Sequence, residues 1–340
     1  MVEVVDDFRH VAPAEAENEL WGDTLWISVV DREANIFGII HLHLTNKGWG
    51  RFESLFVIDG VQQQYGNKYP LTKDADQGPW SDGLLTYEVI KPLDEIRVQF
   101  NGPRYGFDLN FKGRFPVFDY ADSVYGNPLS HANYYGGHLE QGMHCTGSFE
   151  IRGGPNKGDV RKLDSWSHRD HSWSTRFADE PAWDYGQHNI QSHYWPSIQL
   201  PDKHINVFGL FREDVLKLTF EHGTEAVDSG SDKQIIGGFV ASADGVEAVR
   251  GASAKVLLED DGRTAAAFSY EIIMPDESII HVNTGRKYGQ VKLWDRGEND
   301  LENRLDCYEP FFDFEIEETG EQGYGVCEYS IAPPWPRWLV

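Results

Sequence analysis

Cysteine is scarce in this 340-residue chain. Cys145, Cys307 and Cys327 lie far apart and are odd in number. Such a set argues against a disulfide framework, and no C-x-x-C pair suggests a zinc knuckle. Positive charge is also short: 30 Lys and Arg against 55 Asp and Glu leave a net charge of −25. That surface repels phosphate backbones and anionic lipid. No basic stripe with interleaved aromatic residues offsets it, so nucleic acid is not an expected partner. No apolar run approaches the roughly 18 residues of a membrane span. The opening "MVEVVDDFRHVAPAEAENEL" lacks the apolar stretch of a secretory signal. A soluble, cytoplasmic protein is expected. Amphipathic helices of three turns are missing too. So are a Walker loop, a G-x-S-x-G elbow and a G-x-G-x-x-G after a strand. Nucleotide chemistry and serine hydrolysis are therefore poor fits, and no cofactor is expected.

What is present is strand texture. The chain is 40% hydrophobic and 13% aromatic, enough for a packed core. Short apolar runs such as "TLWISVV" (24–30), "FGIIHLHLT" (37–45) and "RFESLFVI" (51–58) end in turn signals like "DG" and "NKG". In "YGFDLNFKGRF" (105–115), Phe107, Leu109 and Phe111 alternate with polar residues, so one face is buried. About fourteen such runs, with a Gly-Pro-Asn-Lys hairpin or linker near residue 155, imply an all-β chain of two consecutive antiparallel β-barrels. The expected division is a polar N-terminal arm (1–20), a first barrel (21–160) and a second barrel (161–340).

The densest chemistry lies in "SWSHRDHSWSTRF" (165–177), the expected opening of the second barrel. In an extended segment side chains alternate faces. Asp170, Ser172 and Ser174 then point one way, and His171 and Trp173 the other. A histidine beside a tryptophan can be a proton donor tuned by an apolar wall and a carboxylate. The carboxylate can fix the imidazole tautomer or supply the proton itself. The alternative is structural: Arg169 and Asp170 form a buried ion pair, with Arg176 as further scaffold. An Asp170 or Asp184 set in an apolar wall would have a raised pKa and stay protonated.

A second patch, "AWDYGQHNIQSHYWP" (182–196), carries Trp183, Asp184, Tyr185, His193, Tyr194 and Trp195. It suits a pocket wall holding an apolar ligand by a few polar anchors, or else the rim of an ordinary barrel core. "HLEQG" (138–142) puts Glu140 and Gln141 just before a strand. His41 and His43 in "IIHLHLT" share a strand face. They could hold a metal only with a further ligand such as His138, Glu140, His168 or His171.

The order "EQ" (140–141), "RDHSW" (169–173) and "GYGVCEYS" (323–330) resembles the lipocalin-like superfamily around carotenoid 1,2-hydratase (hydroxyneurosporene synthase) and AttH-like proteins. Arg169, Asp170, His171, Ser172, Trp173 and Arg176 match its motif. Ser165, Ser167 and Ser174 stand where that family favours glycine. The resemblance implies two lipocalin-like barrels and an apolar cavity. It implies acid catalysis on a C=C bond, and a functional Asp170, His171 and Trp173. The Tyr-x-Asp acid of the hydratase has only a rearranged counterpart here, Trp183-Asp184-Tyr185. The expected activity is a cofactor-independent lyase or isomerase. It would hydrate, dehydrate or cyclise a small hydrophobic terpenoid, polyene or steroid-like substrate. The catalytic residues would be Asp170, His171, Asp184 and Tyr185. Trp173, Trp183, His193, Tyr194, Trp195 and Glu140 would bind substrate. The rivals are a non-catalytic carrier of hydrophobic ligands and a metal enzyme built on His41 and His43.

Overall fold

The computed structural model describes residues 2–12, 21–46, 48–71, 76–123, 136–175, 193–210, 226–228, 235–261, 264–296 and 305–331. Among them the fold is all-β, with two short 3-10 turns and no α-helix. The first sheet holds β1 (Trp21–Asp31), β2 (Ile36–Thr45), β3 (Trp49–Ile58), β4 (Val61–Pro70), β5 (Trp80–Ser81), β6 (Leu85–Lys91), β7 (Glu95–Asn101), β8 (Tyr105–Gly113), β9 (Phe118–Asp119), β10 (Gly137–Ile151) and β11 (Val160–Thr175). The second holds β12 (His193–Gln199), β13 (Lys203–Leu210), β14 (Ala226–Asp228), β15 (Ile235–Ser242), β16 (Gly245–Ala248), β17 (Gly251–Leu258), β18 (Ala265–Ile273), β19 (Ile279–Arg296), β20 (Leu305–Ile316) and β21 (Gln322–Ile331). Both are curled antiparallel sheets, the architecture of two consecutive lipocalin-like barrels.

Each sheet packs one face onto its own apolar core. Alternation assigns the faces: Leu25, Ile27 and Val29 of β1 and Ile40, Leu42 and Leu44 of β2 enter the first core with Phe107, Leu109 and Phe111 of β8. Asp108 and Asn110 point away and bond Arg97 and Glu95, as the sequence alternation predicts. In the second sheet the core takes Tyr194 and Ile198 of β12, Phe312 and Phe314 of β20, and Cys327 and Tyr329 of β21. Edge strand β4 is almost wholly exposed and carries Gln62, Gln63, Gln64 and Lys68, polar chemistry that discourages further strand pairing.

The expected barrel boundary at residue 160 needs correction. The Gly-Pro-Asn-Lys segment is a hairpin turn joining β10 to β11, not a linker. β11 pairs β10 on one side and β1 on the other. The motif strand therefore completes the first sheet, and the compact first unit includes β11. Residues 2–12 likewise belong to that unit rather than forming a loose arm. Asp7, in the 3-10 turn Val4–Asp7, is buried and ion-paired to Arg169. A charged contact beneath the barrel wall holds this segment in place, together with Phe8, which packs against the first core.

Candidate functional site

Strand parity splits the motif into two clusters on opposite faces of the first sheet. On the outer face, away from the apolar core, Asp170 of β11 sits in register with Glu140 of β10 and Trp26 of β1. His138 and Glu140 stand two apart on β10, and His168 and Asp170 two apart on β11. Two His-x-carboxylate pairs thus project side by side from neighbouring strands. His138 Nε2 lies 2.8 Å from Asp170 Oδ2 and 2.9 Å from Glu140 Oε1. His168 Nε2 contacts the other oxygen of Glu140. Tyr120 lies against the His138 ring (4.3 Å between centroids), and Trp26 meets His168 edge-on.

Burial disfavours the His138 imidazolium, but the charges and hydrogen bonds of Asp170 and Glu140 prevail and push its pKa up to about 10. His138 is therefore a cation at neutral pH. The Asp170 side chain is 17% exposed, whereas Glu140 is fully buried and His138 is 5% exposed. Asp170 is thus the member that reaches outward, while Glu140 serves as an inner anchor for both imidazoles. Beside the indole of Trp26 across the strands, Asp170 meets the His138 ring as well as the apolar wall expected of it. Further along the same cross-strand row, His41 Nδ1 bonds Glu53 Oε2 at 3.0 Å. His43 packs edge-on against Trp49. Among the described residues, His41 and His43 belong to no group of three converging donors.

On the core face lie Arg169, His171 and Trp173. His171 Nε2 bonds Asp23 Oδ1 at 2.7 Å, and Asp23 Oδ2 accepts the backbone N–H of His10 at 2.6 Å. Burial works to raise the Asp23 pKa, yet the interactions with His171 and His10 win and hold the carboxyl below the usual range. His10 stacks on Trp173 at 3.5 Å between centroids, 6° from parallel. Gly137 makes room for that indole, since a Cβ there would lie 2.2 Å from it. Arg169 does not pair with Asp170 as the structural alternative expected. It binds Asp7 and donates to Gln141 Oε1 at 2.8 Å. Gln141 in turn donates to the carbonyls of Leu93 and Phe115. Asp170 and His171 point to opposite faces, as the alternation along an extended segment predicts.

In the second sheet the expected wall of His193, Tyr194 and Trp195 divides by the same parity. Tyr194 faces the core and donates to the Ala252 carbonyl at 3.2 Å. His193 and Trp195 lie on the outer face. His193 Nε2 is 2.7 Å from Glu328 Oε1, and its Nδ1 is 2.8 Å from Ser330 Oγ. Gly325 lets β21 approach β12 at this point: a Cβ would fall 1.9 Å from the Ser197 carbonyl. Trp183, Asp184, Tyr185 and Arg176 lie outside the described residues.

Sequence reasoning passes over Asp7, His10 and Asp23, and treats His138 only as a possible metal donor. The repeated His-x-Glu and His-x-Asp spacing of 138/140 and 168/170 is the signal that points to the outer cluster, since i and i+2 share a strand face.

Solved structures with this fold include kievitone hydratase from Nectria haematococca, at 14% identity and a TM-score of 0.56, covering 92% of this chain and 89% of that one. CghA bound to Sch210972 is similar at 10% identity and a TM-score of 0.57, covering 92% and 88%. Among curated proteins, none matches the chain in sequence. The family described as Domain of unknown function (DUF7064) matches residues 3–333, and the chain belongs to that family.

Proposed function

We propose that this protein is a lyase or isomerase that moves protons on a small hydrophobic substrate, in a hydration, dehydration or cyclisation. A terpenoid, polyene or steroid-like molecule fits the expectation from the sequence. Asp170 exchanges the proton, and His138 orients and electrostatically balances it. The observation that carries this reading is the His138 imidazolium held between Glu140 and Asp170, with Asp170 the outward member. A carboxylate fixed on a cationic ring is preorganised to take a proton from substrate or water and to return it, and the ring offsets the charge change. Glu140 and His168 hold that ring in place from behind. Kievitone hydratase bears a name consistent with hydration on this fold, which supports the reading only by analogy.

The rival is a carrier of hydrophobic ligands. It would be favoured by an Asp170 spent on neutralising Arg169. The partnership of Arg169 with Asp7 removes that explanation for the carboxylate. The test incubates the protein in D2O with a panel of unsaturated and hydroxylated hydrophobic compounds and reads deuterium incorporation or dehydration by mass spectrometry. Turnover that Asp170→Asn lowers by about 10²-fold supports the assignment. Compounds that bind and return unlabelled and unaltered would make the protein a carrier.

A further inference from the structure

The second sheet holds a donor set of a different chemical kind. On its outer face, His193 of β12, Ser330 of β21 and Cys307 of β20 lie in one cross-strand row. Glu328 stands two residues before Ser330 on the same face. Donor atoms of His193, Cys307 and Glu328 all lie within 4.8 Å of one another. Three adjacent hydrogen-bonded strands therefore present nitrogen, sulfur and oxygen ligands to one point. The two donor clusters described on the first sheet offer nitrogen and oxygen alone.

The geometry points to a zinc site formed by His193, Cys307 and Glu328. A tetrahedral zinc with ligand distances of about 2.0–2.3 Å needs a nitrogen-to-oxygen separation of roughly 3.3 Å. His193 Nε2 and Glu328 Oε1 now stand 2.7 Å apart across a proton, so the metal replaces that proton after a small withdrawal of the carboxylate. Glu328 is the more exposed of the two ligands, its side chain being 21% exposed against 6% for His193. Ser330 supplies the outer support that zinc-bound histidines use. Its hydroxyl, 2.8 Å from Nδ1, accepts the Nδ1–H when Nε2 turns to the metal. A thiolate with an imidazole selects zinc over magnesium or calcium. Three protein ligands leave a fourth position open to water or substrate. Binding displaces the Cys307 thiol proton, so affinity rises with pH.

The full-length protein, stripped by chelator, is titrated with Zn²⁺ by calorimetry and with Co²⁺ by absorption. The expected result is one equivalent of either metal, with a thiolate-to-cobalt charge-transfer band. Cys307→Ser removes the band and weakens zinc at least tenfold, and Glu328→Gln weakens it at least tenfold with the band retained. Ser330→Ala weakens binding by about tenfold through the lost support. Cys145→Ser and Cys327→Ser change neither readout. Circular dichroism checks that each variant folds, and Glu328→Gln, altering the partly exposed ligand, serves if Cys307→Ser does not. No stoichiometric binding, a site without a thiolate band, or affinity unchanged in folded Cys307→Ser and Glu328→Gln overturns the proposal.

Discussion

Two neighbouring residues, Arg169 and Asp170, should respond to mutation through different partners. Arg169 is buried and its charge is met by Asp7, a residue 162 positions earlier in the chain. Asp7→Asn keeps the shape of the side chain but leaves that guanidinium without a counter-charge. Breaking a buried pair from one side costs about 3–5 kcal/mol. For a cooperative unit of 150–250 residues, each kcal/mol lowers the melting temperature by about 2–4 °C, so a fall of roughly 10 °C is expected. Asp170→Asn leaves the Arg169–Asp7 pair intact, and His138 keeps Glu140. What is lost is the charge-assisted hydrogen bond to His138, on a partly exposed side chain, about 1.5–3 kcal/mol. Turnover, by contrast, should drop by about 10²-fold or more.

Scanning calorimetry of both variants, with the mass-spectrometric turnover assay, separates the effects. Asp7→Asn should be the less stable protein, with activity lost only in proportion to unfolding. Asp170→Asn should be the more stable of the two variants and almost inactive. The reverse stability order would mean that Asp170, not Asp7, balances the buried arginine. Full activity and normal stability in Asp170→Asn would place the chemistry elsewhere.

The pKa shifts predict a stability window. His138 is raised from 6.5 to about 10 on folding, so its contribution is fully present below about pH 6.5 and is lost as pH rises towards 10. Denaturant midpoints at pH 6 and 9.5 should differ in the parent and differ less in His138→Gln; equal differences would refute the linkage. Asp23 is lowered, so its contribution is lost instead as pH falls below about 4. His171→Ala should lower the melting temperature rather than leave it unchanged, because the wholly buried Asp23 loses its main partner, at about 3 kcal/mol; an unchanged melting curve would argue against that pair. Gly137→Ala should displace the Trp173 indole, 2.2 Å from the new methyl, and a tryptophan fluorescence difference between parent and Trp173→Phe that is the same in the Gly137→Ala background would contradict the packing.

Alternation along single strands is legible in the residues themselves. The buried face of "YGFDLNFKG" follows from its period, and so does the divergence of His171 and Trp173 from Asp170. Register is not legible in this way. Nothing in the local pattern of β11 states that Asp170 lies opposite Glu140, or that Asp23 will meet His171 across 148 residues. Such pairings are fixed when whole strands choose a register that suits their apolar side chains. The polar partners are carried along by that choice. The same limit explains the misplaced boundary, because a turn rich in Gly, Pro and Asn reads alike whether it closes a hairpin or joins two barrels.

Proximity in sequence also misleads where function is concerned. A dense motif invites the assumption that its members act together, yet in a strand adjacent residues are the ones least able to touch. The motif is compact because it serves both faces at once. Arg169, His171 and Trp173 tie β11 to Asp7, Asp23 and His10 beneath the barrel wall. His168 and Asp170 build the imidazole–carboxylate cluster above it with His138 and Glu140. The buried pairs below hold β11 in register, and that register in turn sets Asp170 against His138. A conservative change on the core face should therefore lower stability first, since no side-chain contact carries it to the outer cluster.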